Sequence, residues 1–215
     1  MVSLCALAPS AGAQSAADSP APVIPAPKAQ ITVDQDAAAD AAPVNWSLRM
    51  KVYLKKLVSM QAFYEVVPGT ISDHVRNFPT EWGRGGVGFA DRLGSQYGQF
   101  FFSETIELAV SAFHKEDPRY FRMGQGNFFK RTGHAFKTAV VVSNTNGGQT
   151  IAVGQIAGVF GSWAVATQWW EPKSEQSVGQ VMLWGGVGMA TKAGANVFRE
   201  FWPDAKRKFF KKHDP

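Results

Sequence analysis

Cysteine is almost absent from this sequence: Cys5 is the single thiol in 215 residues, so no internal disulfide can form. Cys5 also falls in a leading segment that reads as removable, which leaves a mature chain without thiols, suited to a non-reducing compartment. No serine stands in a G-x-S-x-G setting, so with the cysteine gone two common nucleophile signatures are missing. The four histidines, His74, His114, His134 and His213, show neither an H-E-x-x-H pattern nor a helical i, i+3 or i, i+4 pair, and they predict no metal site. Gly83-Arg84-Gly85-Gly86-Val87-Gly88 satisfies G-x-G-x-x-G on paper. The preceding Phe78-Pro79-Thr80-Glu81-Trp82 is no buried strand, however, so a flexible helix entry is expected there and no cofactor.

Aromatic residues are missing before Trp46 and cations before Lys28, while prolines stand at positions 20, 22, 25, 27 and 43. A stretch of that composition cannot bury enough apolar surface to order itself. Residues 1–13 read as a truncated signal peptide ending in the small-x-small run Ala11-Gly12-Ala13, residues 14–44 as a disordered Ala/Pro-rich tether, and residues 45–215 as a helical domain. The basic region of a leader is missing, so Met1 reads as an internal start; Leu4 before Cys5 argues against a lipoprotein anchor. Export to the periplasm or cell envelope is the expectation. Residues 1–46 hold one lysine against four aspartates, a net of −3, so the whole-chain +5 leaves +8 for the remainder. Part of that excess is Lys206, Arg207, Lys208, Lys211 and Lys212 around Phe209 and Phe210, expected to be a solvated helix end; export makes nucleic acid an unsuitable partner.

What is abundant is small residues at helical spacing. Gly86, Ala90, Gly94 and Gly98 form one row, Thr150, Gly154, Gly158, Ser162 and Ala166 a second, and Gly186, Ala190 and Gly194 a third. Four residues is about one turn, so each row predicts a smooth groove against which another backbone packs, recovering the roughly 1 kcal/mol that each helical glycine costs. The segment 85–94 echoes 185–194 at the same offsets, with Arg92 opposite Lys192.

The fold class predicted is mainly α, a glycine-rich bundle of about five or six helices. Residues 45–62 read as a first helix with Leu48, Val52, Leu54, Leu57 and Val58 as its apolar side and Arg49, Lys51, Lys55 and Lys56 elsewhere; Asn45 or Ser47 caps it. Pro68-Gly69 and Pro79 bracket a connection with a short helical piece at 71–77. Helices follow over 87–114, 127–142, 151–170 and 176–202. The turn Asn144-Thr145-Asn146-Gly147-Gly148 lies between β-branched runs, so a short hairpin near 140–153 competes with helix ends, which are favoured.

Glu104, Glu107, Ser111 and His114 fall along one helical face, and His114, Asp117 and Arg119 make the most suggestive polar cluster. A carboxylate beside a histidine and an arginine tunes a base or holds an anion, so His114, Asp117, Arg119 and Glu107 are the catalytic candidates; the competing reading is that Asp117 and Arg119 tie the Pro118 turn to the adjoining helix. The uncharged stretch 150–170 is long enough to reach about 30 Å as a helix, the thickness of a hydrocarbon core, but 178–197 contains Lys192, which is costly in lipid. One bundle that hides most of this apolar pair, touching a membrane through aromatics and the basic tail, is the expected arrangement.

At His114-Lys115-Glu116-Asp117-Pro118-Arg119-Tyr120-Phe121, Trp169-Trp170-Glu171-Pro172 and Phe201-Trp202-Pro203-Asp204 the chain resembles a family of uncharacterised exported bacterial proteins, over about residues 85–204. The resemblance implies export and helical character and carries no activity. Glu171 departs from that family's aromatic-aromatic-proline form, a change expected to affect only a loop. The functional expectation is a non-enzymatic helical packing or membrane-associated module of the cell envelope, with a membrane surface or an envelope protein as partner and a homo-oligomer allowed. The alternative is an exported enzyme or small-ligand carrier using the His114, Asp117 and Arg119 region.

Overall fold

A computed structural model of the chain describes residues 43–210, all within one compact unit, Asp40–Pro215. The leader expected at 1–13, nearly all of the tether expected at 14–44, and Lys211 and Lys212 lie outside the described residues. Within them are six α-helices and one small sheet: α1 Trp46–Val58, α2 Met60–Arg76, α3 Gly86–Phe113, α4 Phe128–Lys137, β1 Val141–Ser143, β2 Gln149–Ile151, α5 Val153–Trp169 and α6 Val178–Phe210. The glycine-rich helical bundle is therefore the architecture.

Local chemistry sets the boundaries. Asn45 caps α1, its side-chain oxygen accepting from the Leu48 amide at 2.8 Å. The expected first helix breaks at Ser59, whose hydroxyl caps the next helix by accepting from the Gln61 amide at 3.2 Å. That next helix, α2, runs straight through Pro68, where a connection was expected. An interior proline costs about 3 kcal/mol, and here tertiary packing outweighs it: Ala62 and Val66 share one face and pack on Phe100 of α3. α6 likewise continues through Pro203, held on both sides of it by Arg131, which pairs with Glu200 at 2.9 Å and Asp204 at 2.7 Å.

The hairpin forms instead of helix ends. β1 and β2 pair antiparallel with Val141 opposite Ile151, and the β-branched residues occupy the strands. Its turn is closed by the Asn144 side chain, which accepts from the Asn146 amide at 3.0 Å, and by Gly147 at φ 89°, where an L side chain would be strained.

Much of the interior is polar. On α1 the expected orientation holds in part: Leu48, Val52 and Leu57 are half-buried and Lys51 and Lys55 exposed, but Arg49 is buried and Lys56 partly buried, while Val58 is 86% exposed and Leu54 also faces outward. Arg49 turns in because it has acceptors there, the Glu116 carbonyl at 2.7 Å and the Ser111 hydroxyl at 3.4 Å. On α3 the buried positions Arg92, Ser95, Gln99, Ser103, Glu107 and Ser111 recur every three or four residues and form one polar stripe. Large apolar side chains stand outside on every helix, among them Phe63, Phe113, Phe129, Trp169, Met182 and Leu183. α5 is covered as expected apart from Ala164, Gln168 and Trp169 near its end, whereas α6 leaves Val178, Met182, Leu183, Val187, Phe198 and Trp202 exposed.

Of the three small-residue rows, the second makes the close contact, which joins α5 to α3. A Cβ on Gly158 would lie 2.5 Å from the Ser103 carbonyl oxygen, and one on Gly154 would lie 2.8 Å from Ser111 Cβ. Ser162 and Ala166 continue this buried line. The other two rows correct the expectation. Gly86, Ala90 and Gly94 on α3 and Gly186, Ala190 and Gly194 on α6 are exposed, and a Cβ on any of these four glycines would meet nothing within 4 Å; only Gly98 touches a neighbour, Trp170 at 3.4 Å. In both echoed segments the charged residue, Arg92 or Lys192, is what faces inward, which turns the small residues out.

Candidate functional site

The polar stripe of α3 leads to a cluster of six charges in the centre of the bundle. Lys192 of α6 pairs with Glu104, and its Nζ lies 3.4 Å from Glu107 Oε2 and 3.6 Å from Glu65 Oε2. Lys56 of α1 pairs with the same two α3 acids, at 2.8 Å to Glu104 and 2.7 Å to Glu107. Arg199, two turns after Lys192 on α6, lies 3.9 Å from Glu65 and donates to the Tyr64 hydroxyl at 3.2 Å. Three acids face three bases, so the cluster is neutral, and its members come from α1, α2, α3 and α6.

Burial sets the electrostatics. Burial alone pushes the Glu104 carboxyl up, but Lys192 and then Lys56 outweigh it and hold the group down at about 2. Burial works against the Lys192 and Lys56 ammonium groups, and the facing carboxylates more than compensate, so both are raised above the ordinary lysine value. Glu104, Lys192 and Lys56 are thereby each held in the charged form. Such an arrangement locks four helices in one register, because a shift of any of them strands a buried charge.

Two further buried carboxylates extend the network. Glu200, with 0% exposure, accepts from Arg131 Nε at 2.9 Å, the Tyr120 hydroxyl at 3.0 Å and the amides of Met123 and Gly124 at 3.0 and 2.9 Å, pinning the loop before α4 to α6. Glu171 accepts from Ser95 and from Gln99 Nε2 at 3.1 Å, joining the α5–α6 connection to the α3 stripe. Burial pushes the Glu171 carboxyl up. The expectation that Glu171 alters only a loop is corrected: it is buried against α3.

The catalytic candidates divide. Glu107 belongs to the central cluster. Asp117 and Arg119 clamp each other across Pro118, with Arg119 Nη2 at 2.6 Å and Nε at 2.9 Å from the carboxylate. The turn is also tied to the hairpin, the Asp117 amide donating to the Ser143 carbonyl at 2.8 Å, while the preceding Glu116 amide donates to the Ser111 carbonyl of α3 at 2.8 Å. His114 takes no part: it caps the end of α3 in solvent, edge-on to Phe113. A small cavity of about 70 Å³ does gather Glu107, Asp117 and Arg119, and the histidine that lines it is His134, whose Nε2 lies 2.9 Å from the Phe121 carbonyl. Glu116, next to this cavity, accepts from the Gly154 amide at 3.1 Å and so caps the N-terminus of α5.

Sequence reasoning missed Lys56, Glu65, Lys192 and Arg199 as one unit. The available signal was Lys192 itself, a lone cation in an apolar run. Among the described residues no group of three or more His, Cys, Asp or Glu side chains is arranged to hold a metal ion. No protein-family model, curated protein or solved structure matches this chain.

Proposed function

We propose that this chain is an exported, non-enzymatic envelope protein whose helical bundle binds to a lipid surface and partly sinks into it. The observation that carries the reading is the burial pattern: acids, bases and hydroxyls line much of the interior, while several large apolar side chains stand exposed on each of α1, α2, α3, α4 and α6. A protein partner covers one face, whereas a lipid layer reaches several faces of one bundle at once. The central cluster matches three acids with three bases, so immersion desolvates no net charge there. At one end Phe128 stacks on Phe201 and Phe198 stacks on Trp202, near the exposed cations Lys130, Lys206, Arg207 and Lys208, a combination suited to anionic headgroups above an apolar layer. No helix among the described residues is long and apolar enough to cross a membrane. The contact proposed is therefore with one leaflet.

Vesicle flotation tests the reading. The full chain is expected to float with vesicles containing phosphatidylglycerol and to float less with phosphatidylcholine alone. Replacing Phe128 and Phe129 by serine removes two exposed anchors, each worth on the order of 1.5–3 kcal/mol when fully buried, so partitioning is expected to fall at least tenfold. Protein that stays at the bottom of the gradient with both vesicle types would exclude the proposal.

A further inference from the structure

A cavity of about 220 Å³ lies between α2, α3, α5 and α6, on the Lys192 side of the charge cluster. Each of the four helices supplies it with one aromatic side chain: Tyr64, Phe100, Trp163 and Trp184. Trp163 and Trp184 are stacked on each other, centroids 5.7 Å apart and planes at 18°. The charged groups that line the cavity are already matched. Asp73 holds Arg76 at 2.7 Å and Glu65 lies 3.6 Å from Lys192, so no net charge faces the space. Ser103 also lines it, is itself buried, and has a hydroxyl without a hydrogen-bond partner.

These features select a ligand by chemistry. Aromatic side chains from four helices favour a flat ring system over a polar chain, and the volume suits about two fused rings. A charged ligand would give up hydration for a lining whose ions are already neutralised and offer it no free counter-charge. An oxygen on the ring would give Ser103 the partner it lacks, removing the penalty of a buried, unsatisfied hydroxyl. We propose that this cavity is a binding site for an uncharged, flat-ring amphiphile bearing a hydroxyl or carbonyl oxygen. The proposal stands on the interior of the bundle and is independent of the lipid contact proposed for its exterior.

Equilibrium dialysis of the full chain with three probes of one ring size provides the test: 1-naphthol, 1-naphthoate and 1-naphthylmethylammonium. One saturable site for 1-naphthol is expected, with binding of both charged probes at least tenfold weaker. Ser72 and Thr191 are exposed residues lining the cavity from α2 and α6, so S72W and T191W narrow it while sparing the core. Each is expected to weaken 1-naphthol binding at least fivefold with Tm unchanged and with vesicle flotation unchanged. Absence of a saturable site, equal binding of the charged probes, or 1-naphthol binding that survives both tryptophan variants would overturn the proposal; the last result would place the probe on the apolar exterior.

Discussion

Two glycine-rich rows that look alike in the sequence differ completely in what a methyl group would meet. At Gly158 an added Cβ runs into the Ser103 carbonyl of α3, so Gly158→Ala is expected to lower stability by about 1–3 kcal/mol in thermal melts. Ala190 faces outward, and Ala190→Leu is expected to stay within about 0.5 kcal/mol of the parent. Equal losses at both positions would show that the α6 row also packs. At the charge cluster, Lys192→Met leaves Glu104 and Glu107 buried with Lys56 as their nearest remaining base, and a loss of about 3–5 kcal/mol is expected in urea unfolding. Adding Glu104→Gln should recover part of it, because the second change removes the stranded charge. The cluster also fixes a pH dependence. Glu104 has its folded value depressed from 4.5 to about 2, so its contribution is complete above pH 4.5 and is lost as pH falls through about 2. Glu171 works in the opposite sense, since burial raises it and it favours the protonated, low-pH form. The difference between the parent and Glu104→Gln, followed from pH 5 to pH 2, isolates the first effect: the gap between the two should narrow as pH drops.

The elements were legible where propensity and packing agree. The long run expected at 87–114 forms Gly86–Phe113 almost to the residue, and the helices expected from Asn45 and Asn127 start in place but end at Val58 and Lys137, short of the expected 62 and 142. They were illegible where a contact distant in sequence overrides a local signal. Pro68 reads as a breaker until Phe100 of α3 is placed against Ala62 and Val66, and Arg49 reads as a solvent-facing residue until the Glu116 carbonyl is placed beside it. Arg92 is the strongest case. Only 1% exposed, it donates to the carbonyls of Phe78, Pro79, Gly83 and Gly88 and to the Asn77 side chain, and thereby fastens the α2–α3 connection onto the first turns of α3. A lysine offers three donors from one point and cannot match this planar fork. Arg92→Lys is therefore expected to cost about 2 kcal/mol or more, with new proteolytic cleavage appearing between residues 77 and 85 while the rest of the bundle stays resistant.

At the scale of the whole molecule, the sequence pointed to helices and to the inward small-residue row of α5, but not to how much of the interior is polar. Apolar inside and charged outside is the usual consequence of folding in water. Here Lys56, Glu65, Glu104, Glu107, Lys192 and Arg199 satisfy one another, so the interior is held by ion pairs and the apolar surface remains to be covered from outside. In the proposed lipid contact, that exposed apolar surface would be covered by acyl chains, and helix lengths and charges would set the depth. α5 has 17 residues, about 26 Å at 1.5 Å per residue, and it lacks formal charge, yet no helix meets the requirements for crossing. The exposed cations of α6 at Lys206, Arg207 and Lys208 would hold that end of the bundle at the headgroups in the proposed contact. Alkaline carbonate treatment of protein-loaded vesicles is expected to leave the parent chain largely in the pellet, because apolar contact on several faces survives the loss of electrostatic attraction. A variant with Leu183, Val187 and Phe198 of α6 changed to serine, all three exposed and outside the charge cluster, is expected to move to the supernatant with its thermal melt preserved. Complete release of the parent by carbonate alone would instead limit the contact to headgroup attraction through the cations, and the apolar exterior would have no part in holding the protein to lipid.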